Sequence, residues 1–120
     1  MYDVVKVANR MQLPINAGTE QNSFGQPFVD DFESEAMRPL WPDIMRGANI
    51  MVGQARLARY AGVSYCDAAA QSAFGPDLAA KNACFERIGR LPCPDAAERA
   101  RLVEMGKDRA FAALMDAARR

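Results

Sequence analysis

The chain has 120 residues, half of them apolar and a quarter charged, with 15 basic side chains balanced by 15 acidic ones and no histidine. That length fits one domain, or one domain with an arm. Zero net charge removes the electrostatic footprint of a general nucleic-acid binder, and the lack of histidine removes Ser-His-Asp and Cys-His catalysis and histidine-bearing zinc sites.

Of the 60 apolar residues 22 are alanine, and only 12 residues of the chain are β-branched. This balance favours helix over strand, so the expected fold class is all-α. No apolar run approaches the roughly 20 residues that span a bilayer. The opening Met1-Tyr2-Asp3-Val4 lacks the basic-then-apolar order of a secretory signal. A soluble chain without a transmembrane segment is expected.

Residues 1–11 carry Val4, Val5, Val7, Ala8 and Met11, enough for a short helix or an extended segment, and Pro14 stops any helix. From Gln12 to Pro27 only Leu13, Ile15 and Phe24 interrupt a polar text of about sixteen residues without periodicity, a length typical of functional or linker segments. Phe28, Val29, Phe32 and Met37 suit a short amphipathic helix whose wet side bears Asp30, Asp31, Glu33 and Glu35. Pro39 and Pro42 bracket Leu40 and Trp41 in a rigid connector with an aromatic anchor, and Pro42 suits the first position of the next helix. Residues 1–41 therefore read as a long, weakly structured N-terminal arm with one or two short helices, and residues 42–120 as a helical domain.

Within that domain a small bundle of about four helices is expected over residues 42–118. The first runs to about Ala61, with Ile44, Ala48, Met51, Val52, Ala55 and Ala58 on one stripe and Ile50, Leu57 and Ala61 on a second. Gly62 supplies its left-handed stop. Ser64 and Asp67 form a capping-box-like pair that starts a helix over 65–74. Gly75-Pro76 opens another over 76–88, with Leu78, Phe85 and Ile88 inward and Gly89 closing it. Pro92-Cys93-Pro94-Asp95 connects to a long last helix from 94 to about 118 on the stripe Ala96, Ala100, Val103, Ala110, Leu114 and Ala117. Gly106 interrupts it at about 1 kcal/mol relative to alanine. The isolated glycines Gly47 and Gly53 read as close helix crossings.

The segment from Leu57 to Tyr65 resembles the helix-turn-helix of the lac repressor family, with Ala58 and Gly62 in the roles of the small residue and the turn glycine, followed by Val63-Ser64. The resemblance covers about twenty residues. It implies a DNA-binding regulator using residues 54–74, with a recognition helix beginning at Ser64 and Tyr65 at a base-contacting position. Cys66, Asp67, Ala68 and Gln71 depart from the family's pattern. No arginine or lysine stands there to take phosphates or guanine edges. An ordinary αα-corner, with a glycine stop and a serine cap, accounts for the same residues.

Three cysteines are one short of an all-cysteine zinc site, and the acidic group at 30–35 lacks the spacing and turn glycine of a calcium loop. No metal and no cofactor are expected. Cys66 falls in a predicted first helical turn, where amide dipoles lower a thiol pKa, yet no base accompanies it. Cys84 and Cys93 flank the Ile88–Pro92 turn and are the pair placed for a disulfide across a helical hairpin in an oxidising compartment. Three thiols leave one over, so the count does not decide.

No catalytic residue and no small-molecule substrate emerge from this reading. The expected role is a non-catalytic small helical subunit of a larger multiprotein assembly. Accessory subunits of organellar energy-converting complexes and components of phage particles have this character. Its N-terminal arm would dock on a protein partner through Ile15, Phe24, Phe28, Phe32 and Trp41, nucleic acid being a less favoured partner. The helix-turn-helix regulator is the alternative, and a redox or nucleophilic role for Cys66 a third reading.

Overall fold

The computed structural model describes residues 1–18, 22–26 and 31–119. Among them are six α-helices and no strand, as the composition predicts: α1 (Tyr2–Arg10), α2 (Trp41–Arg56), α3 (Ala68–Phe74), α4 (Leu78–Arg90), α5 (Ala96–Glu104) and α6 (Lys107–Ala117). No helix among the described residues is long and apolar enough to cross a membrane. The chain divides into two compact units, Met1–Gly47 and Ala48–Arg120, and α2 contributes to both.

In the first unit, residues 2–10 take the helical alternative. Val5 and Ala8 turn inward from α1, and Val5 joins Leu40 and Ile44 in a small core against which Ile15, Phe32 and Met37 pack. Asn9 Nδ2 donates to Asp43 Oδ1 at 2.8 Å and the Tyr2 hydroxyl donates to the Ala36 carbonyl at 2.7 Å, pinning both ends of α1. Instead of the expected amphipathic helix, the described residues from Phe32 to Met37 form turns that lead into a 3-10 turn, Arg38–Leu40. Helix α2 follows directly from Trp41, so Pro42 sits in its first turn, where no intrahelical donor is required. Phe28, Val29 and Asp30 lie outside the described residues.

The second unit is built round twelve buried side chains, with Leu57, Phe85 and Ile88 fully enclosed. Two glycines set its central crossing. A Cβ on Gly53 of α2 would lie 1.9 Å from the Phe85 carbonyl oxygen, and one on Gly89 of α4 would lie 1.8 Å from that of Asn49. The pairs 49/53 and 85/89 thus oppose each other, each glycine receiving the other helix's backbone. Gly89 is therefore an interior crossing residue of α4, which continues to Arg90.

This crossing decides which face of α2 is buried. Ile44, Gly47, Ile50, Gly53 and Leu57 form the inward stripe, whereas Met51 and Val52 are half exposed and Ala48, Ala55 and Ala58 face outward. The apolar stripe expected at 48, 51, 52, 55 and 58 is thus on the surface. Hydropathy gives glycine no weight as a core residue, yet here its missing side chain is what lets the neighbour approach.

Helix α2 ends in a π-helical turn, Leu57–Ala61, closed by Gly62 in the left-handed region (φ 64°). The N–H groups of Gly62 and Val63 both donate to the Leu57 carbonyl, satisfying an orphan acceptor at the helix end. Helix α6 packs on this turn through Ala110 and Leu114. The long last helix of the sequence reading is two helices: Gly106 takes φ 78° and starts α6 in a new direction. With the phase reset there, Val103 is 66 % exposed and Leu102 is buried instead.

Candidate functional site

Three regions concentrate polar or exposed apolar groups: the Val63–Asp67 connection, the outer face of the first unit, and a cleft beside Arg56.

The connection differs from its sequence reading in where the helix begins. Asp67 is the N-cap of α3, its carboxylate accepting from the Ala70 N–H and from the Ser64 N–H. Backbone donation from Ser64, then Ala70 and Ala69, holds the Asp67 pKa below its ordinary value of 3.8, against a smaller opposing effect of burial. Helix α3 thus starts at Ala68 rather than at residue 65, because an aspartate with two amide partners outcompetes Ser64 as the cap. Cys66 consequently precedes the cap in an exposed turn and has no place in a first helical turn.

Tyr65 stands in the same turn and is held on every side. Its N–H donates to Gln54 Oε1, its carbonyl accepts from Lys81 Nζ at 3.2 Å, and its hydroxyl donates to Asn82 Oδ1. The ring meets Phe85 edge-on at 5.1 Å, and the Lys81 ammonium lies 4.1 Å from the ring centroid. Lys81 and Asn82 are 3 % and 1 % exposed, so these contacts satisfy two buried polar side chains. The Tyr65 hydroxyl and ring, which the helix-turn-helix resemblance would direct at bases, are engaged within the chain. Sequence reasoning missed Lys81 and Asn82 because they fall on the helix face that also carries Phe85 and Ile88, where polar residues are not expected.

Of the predicted partner-binding residues, Ile15 and Phe32 pack on the core of the first unit. Trp41 is 43 % exposed, with its ring tilted against Phe32 at 5.6 Å. Phe24 is fully exposed, and Phe28 lies outside the described residues. The same unit also carries exposed apolar residues on α1 and just after it: Val4, Val7, Met11 and Leu13. Leu13 is held near α1 by donation from its N–H to the Ala8 carbonyl at 2.9 Å.

Cys84 and Cys93 are both free thiols, one buried and one exposed. The structure does not join them: Cys84 points into the core, where its thiol donates to Met115 Sδ at 2.9 Å. Burial pushes its pKa above the ordinary 9.0, and the charges of Arg87 and Arg119 offset this only in part.

The cleft beside Arg56 has a volume of about 250 Å³. Its polar lining is Arg56 and Tyr60 from the end of α2 and its π turn, with Glu98 and Arg101 from α5. Leu91, Pro92 and Pro94 wall one side, and Leu102 and Leu114 lie beneath. Arg56 Nη1 donates to the carbonyls of Ile88 and Leu91, at 2.8 and 2.6 Å, and so caps the end of α4. Proline has no N–H, so that wall contributes apolar surface. The sequence carried a trace of this cleft in Pro92-Cys93-Pro94, but Arg56 and Arg101 are 45 positions apart and nothing local links them.

Comparison with protein-family models, with curated proteins and with solved structures gave no match to this chain.

Proposed function

We propose that this chain is a non-catalytic helical subunit that docks on a partner protein through the outer face of its first unit. The observation that carries this reading is the stripe Val4, Val7, Met11 and Leu13, at 69, 43, 58 and 50 % exposure. Spacings of three and four on a helix place such residues side by side. Asp3, Val4, Val7, Ala8 and Leu13 share one shallow depression, so the apolar surface is continuous there. Contiguous exposed apolar surface marks interaction sites, whereas scattered residues do not. Phe24 and the exposed part of Trp41 belong to the same unit and to the same role. Ile15 and Phe32 face inward and support the docking face from beneath.

The matching partner offers an apolar groove that accepts a helix face, with a basic rim. Residues 1–36 carry six acidic and two basic side chains in an otherwise neutral chain, which gives that docking region its sign.

The test is the native mass of the untagged 13.2 kDa chain in a gentle lysate of its source, by size exclusion with mass-spectrometric detection. Elution in a complex of fixed composition is expected. The double variant Val7→Asp with Leu13→Asp should elute alone while keeping its far-ultraviolet circular dichroism. Wild-type elution as a monomer, or unchanged incorporation of the folded double variant, overturns the proposal.

A further inference from the structure

The cleft in the second unit plays no part in that docking role, and its chemistry points to a ligand of a definite class. Tyr60 is 8 % exposed and lines the cleft, yet its hydroxyl has no hydrogen-bond partner among the described residues. No enclosed side-chain nitrogen or oxygen among the described residues lacks a partner, so this hydroxyl is open to solvent. Arg56 uses Nη1 for the two backbone carbonyls, leaving Nη2 and Nε without partners among the described residues. Glu98 and Arg101, on the other side, are exposed and form no ion pair with a described residue, so both charges are free to face a ligand. Solvent-open donors converging above an apolar floor have the arrangement of a small-molecule site.

The charge and size of the lining narrow the occupant. Two guanidinium groups and one carboxylate leave a single net positive charge, which suits a monoanion better than a phosphate dianion. Guanidinium binds carboxylate through paired N–H donors, and the tyrosine hydroxyl adds a further donor. At about 250 Å³ the cleft falls below the roughly 300–1,000 Å³ of sites for drug-sized ligands. One ring or a short branched chain therefore fits between the prolines and Leu102.

We infer that the cleft lined by Arg56, Tyr60 and Arg101 binds a small apolar monocarboxylate, with its carboxylate on the two arginines and its hydrocarbon part against Pro92, Pro94 and Leu102. Arg56 and Tyr60 stand four positions apart at the end of α2 and its π turn, a spacing that puts two side chains side by side.

Titration of the full chain with phenylacetate, followed by calorimetry and by amide chemical shifts, tests the inference, with phenylacetamide and inorganic phosphate as controls. Saturable binding of phenylacetate is expected, with shifts centred on residues 56–60 and 91–102 and with phenylacetamide at least about tenfold weaker. Tyr60→Phe and Arg101→Gln should each weaken phenylacetate, by about tenfold or more for Arg101→Gln, while Glu98→Gln should strengthen it by removing the repelling carboxylate. These substitutions leave the Arg56 cap of α4 intact, and unchanged circular dichroism confirms folding. No saturable binding, equal binding of acid and amide, phosphate binding as tight as phenylacetate, or indifference to both folded variants Tyr60→Phe and Arg101→Gln overturns the inference.

Discussion

The two units solve the same problem, covering apolar side chains with helix, by different means. Among the described residues, the first gathers α1, the start of α2 and irregular chain round the buried cluster Val5, Leu40 and Ile44; the second packs helix directly on helix round a cluster of twelve. Helix–helix burial scales with how closely the axes approach, and only the second unit has opposed glycines at a crossing. The first leaves Val4, Val7, Met11, Leu13 and Phe24 outside. A sparse core beside a surplus of exposed apolar surface is what a docking segment needs, and a dense core is what a rigid cleft needs.

Deleting a core side chain from each unit should separate them most strongly. Phe85 is fully buried, and Phe85→Ala is expected to cost about 3–5 kcal/mol, against about 1–2 kcal/mol for Val5→Ala. Trp41, the sole tryptophan, lies in the first unit and reports it by fluorescence, while α3 to α6 contribute most of the far-ultraviolet circular dichroism. In urea, Phe85→Ala should lower the dichroism midpoint more than the fluorescence midpoint. Equal shifts in both signals would show one cooperative unit and break the comparison.

The glycines give the next largest contrast. Gly53→Ala or Gly89→Ala sets a Cβ against a helix backbone that cannot yield locally, and each should cost about 3 kcal/mol. Gly47→Ala sets one 1.7 Å from the Ile15 carbonyl, closer still, but Ile15 lies in irregular chain that can move aside. Its strain is offset by the roughly 1 kcal/mol that alanine gains over glycine in a helix, so a net cost of at most about 1 kcal/mol is expected. Matched urea midpoints for the 47, 53 and 89 variants would show that helix and loop backbones resist equally.

Much of the architecture was legible in the residues. Alanine abundance and few β-branched residues gave the all-α class, and Gly62 stopped its helix where the spacing placed it. Sequence reading failed where a long-range choice outweighed a local one. Ser64 is an acceptable cap, but Asp67 collects two amide donors; Gly106 is a tolerable helical residue, but the chain turns there. Of the predicted partner-binding residues, Phe24 and Trp41 are exposed, as aromatic residues outside any apolar periodicity can be. The cleft was not legible, because its arginines come from α2 and α5 and meet only through folding.

The face of α2 offers the finest test of that lesson. Ile50 and Val52 are two positions apart on one helix, at 3 % and 42 % exposure, although hydropathy spacing assigned Val52 to the broader apolar stripe. Ile50→Ala should cost about 2–5 kcal/mol, whereas Val52→Ala should stay within about 0.5 kcal/mol of wild type in the same urea titration. The two substitutions remove similar groups, so their difference isolates which side of the helix the glycine crossing turns inward. A Val52→Ala cost as large as that of Ile50→Ala would mean that the hydropathy stripe, and not the pair Gly53 and Gly89, orients α2.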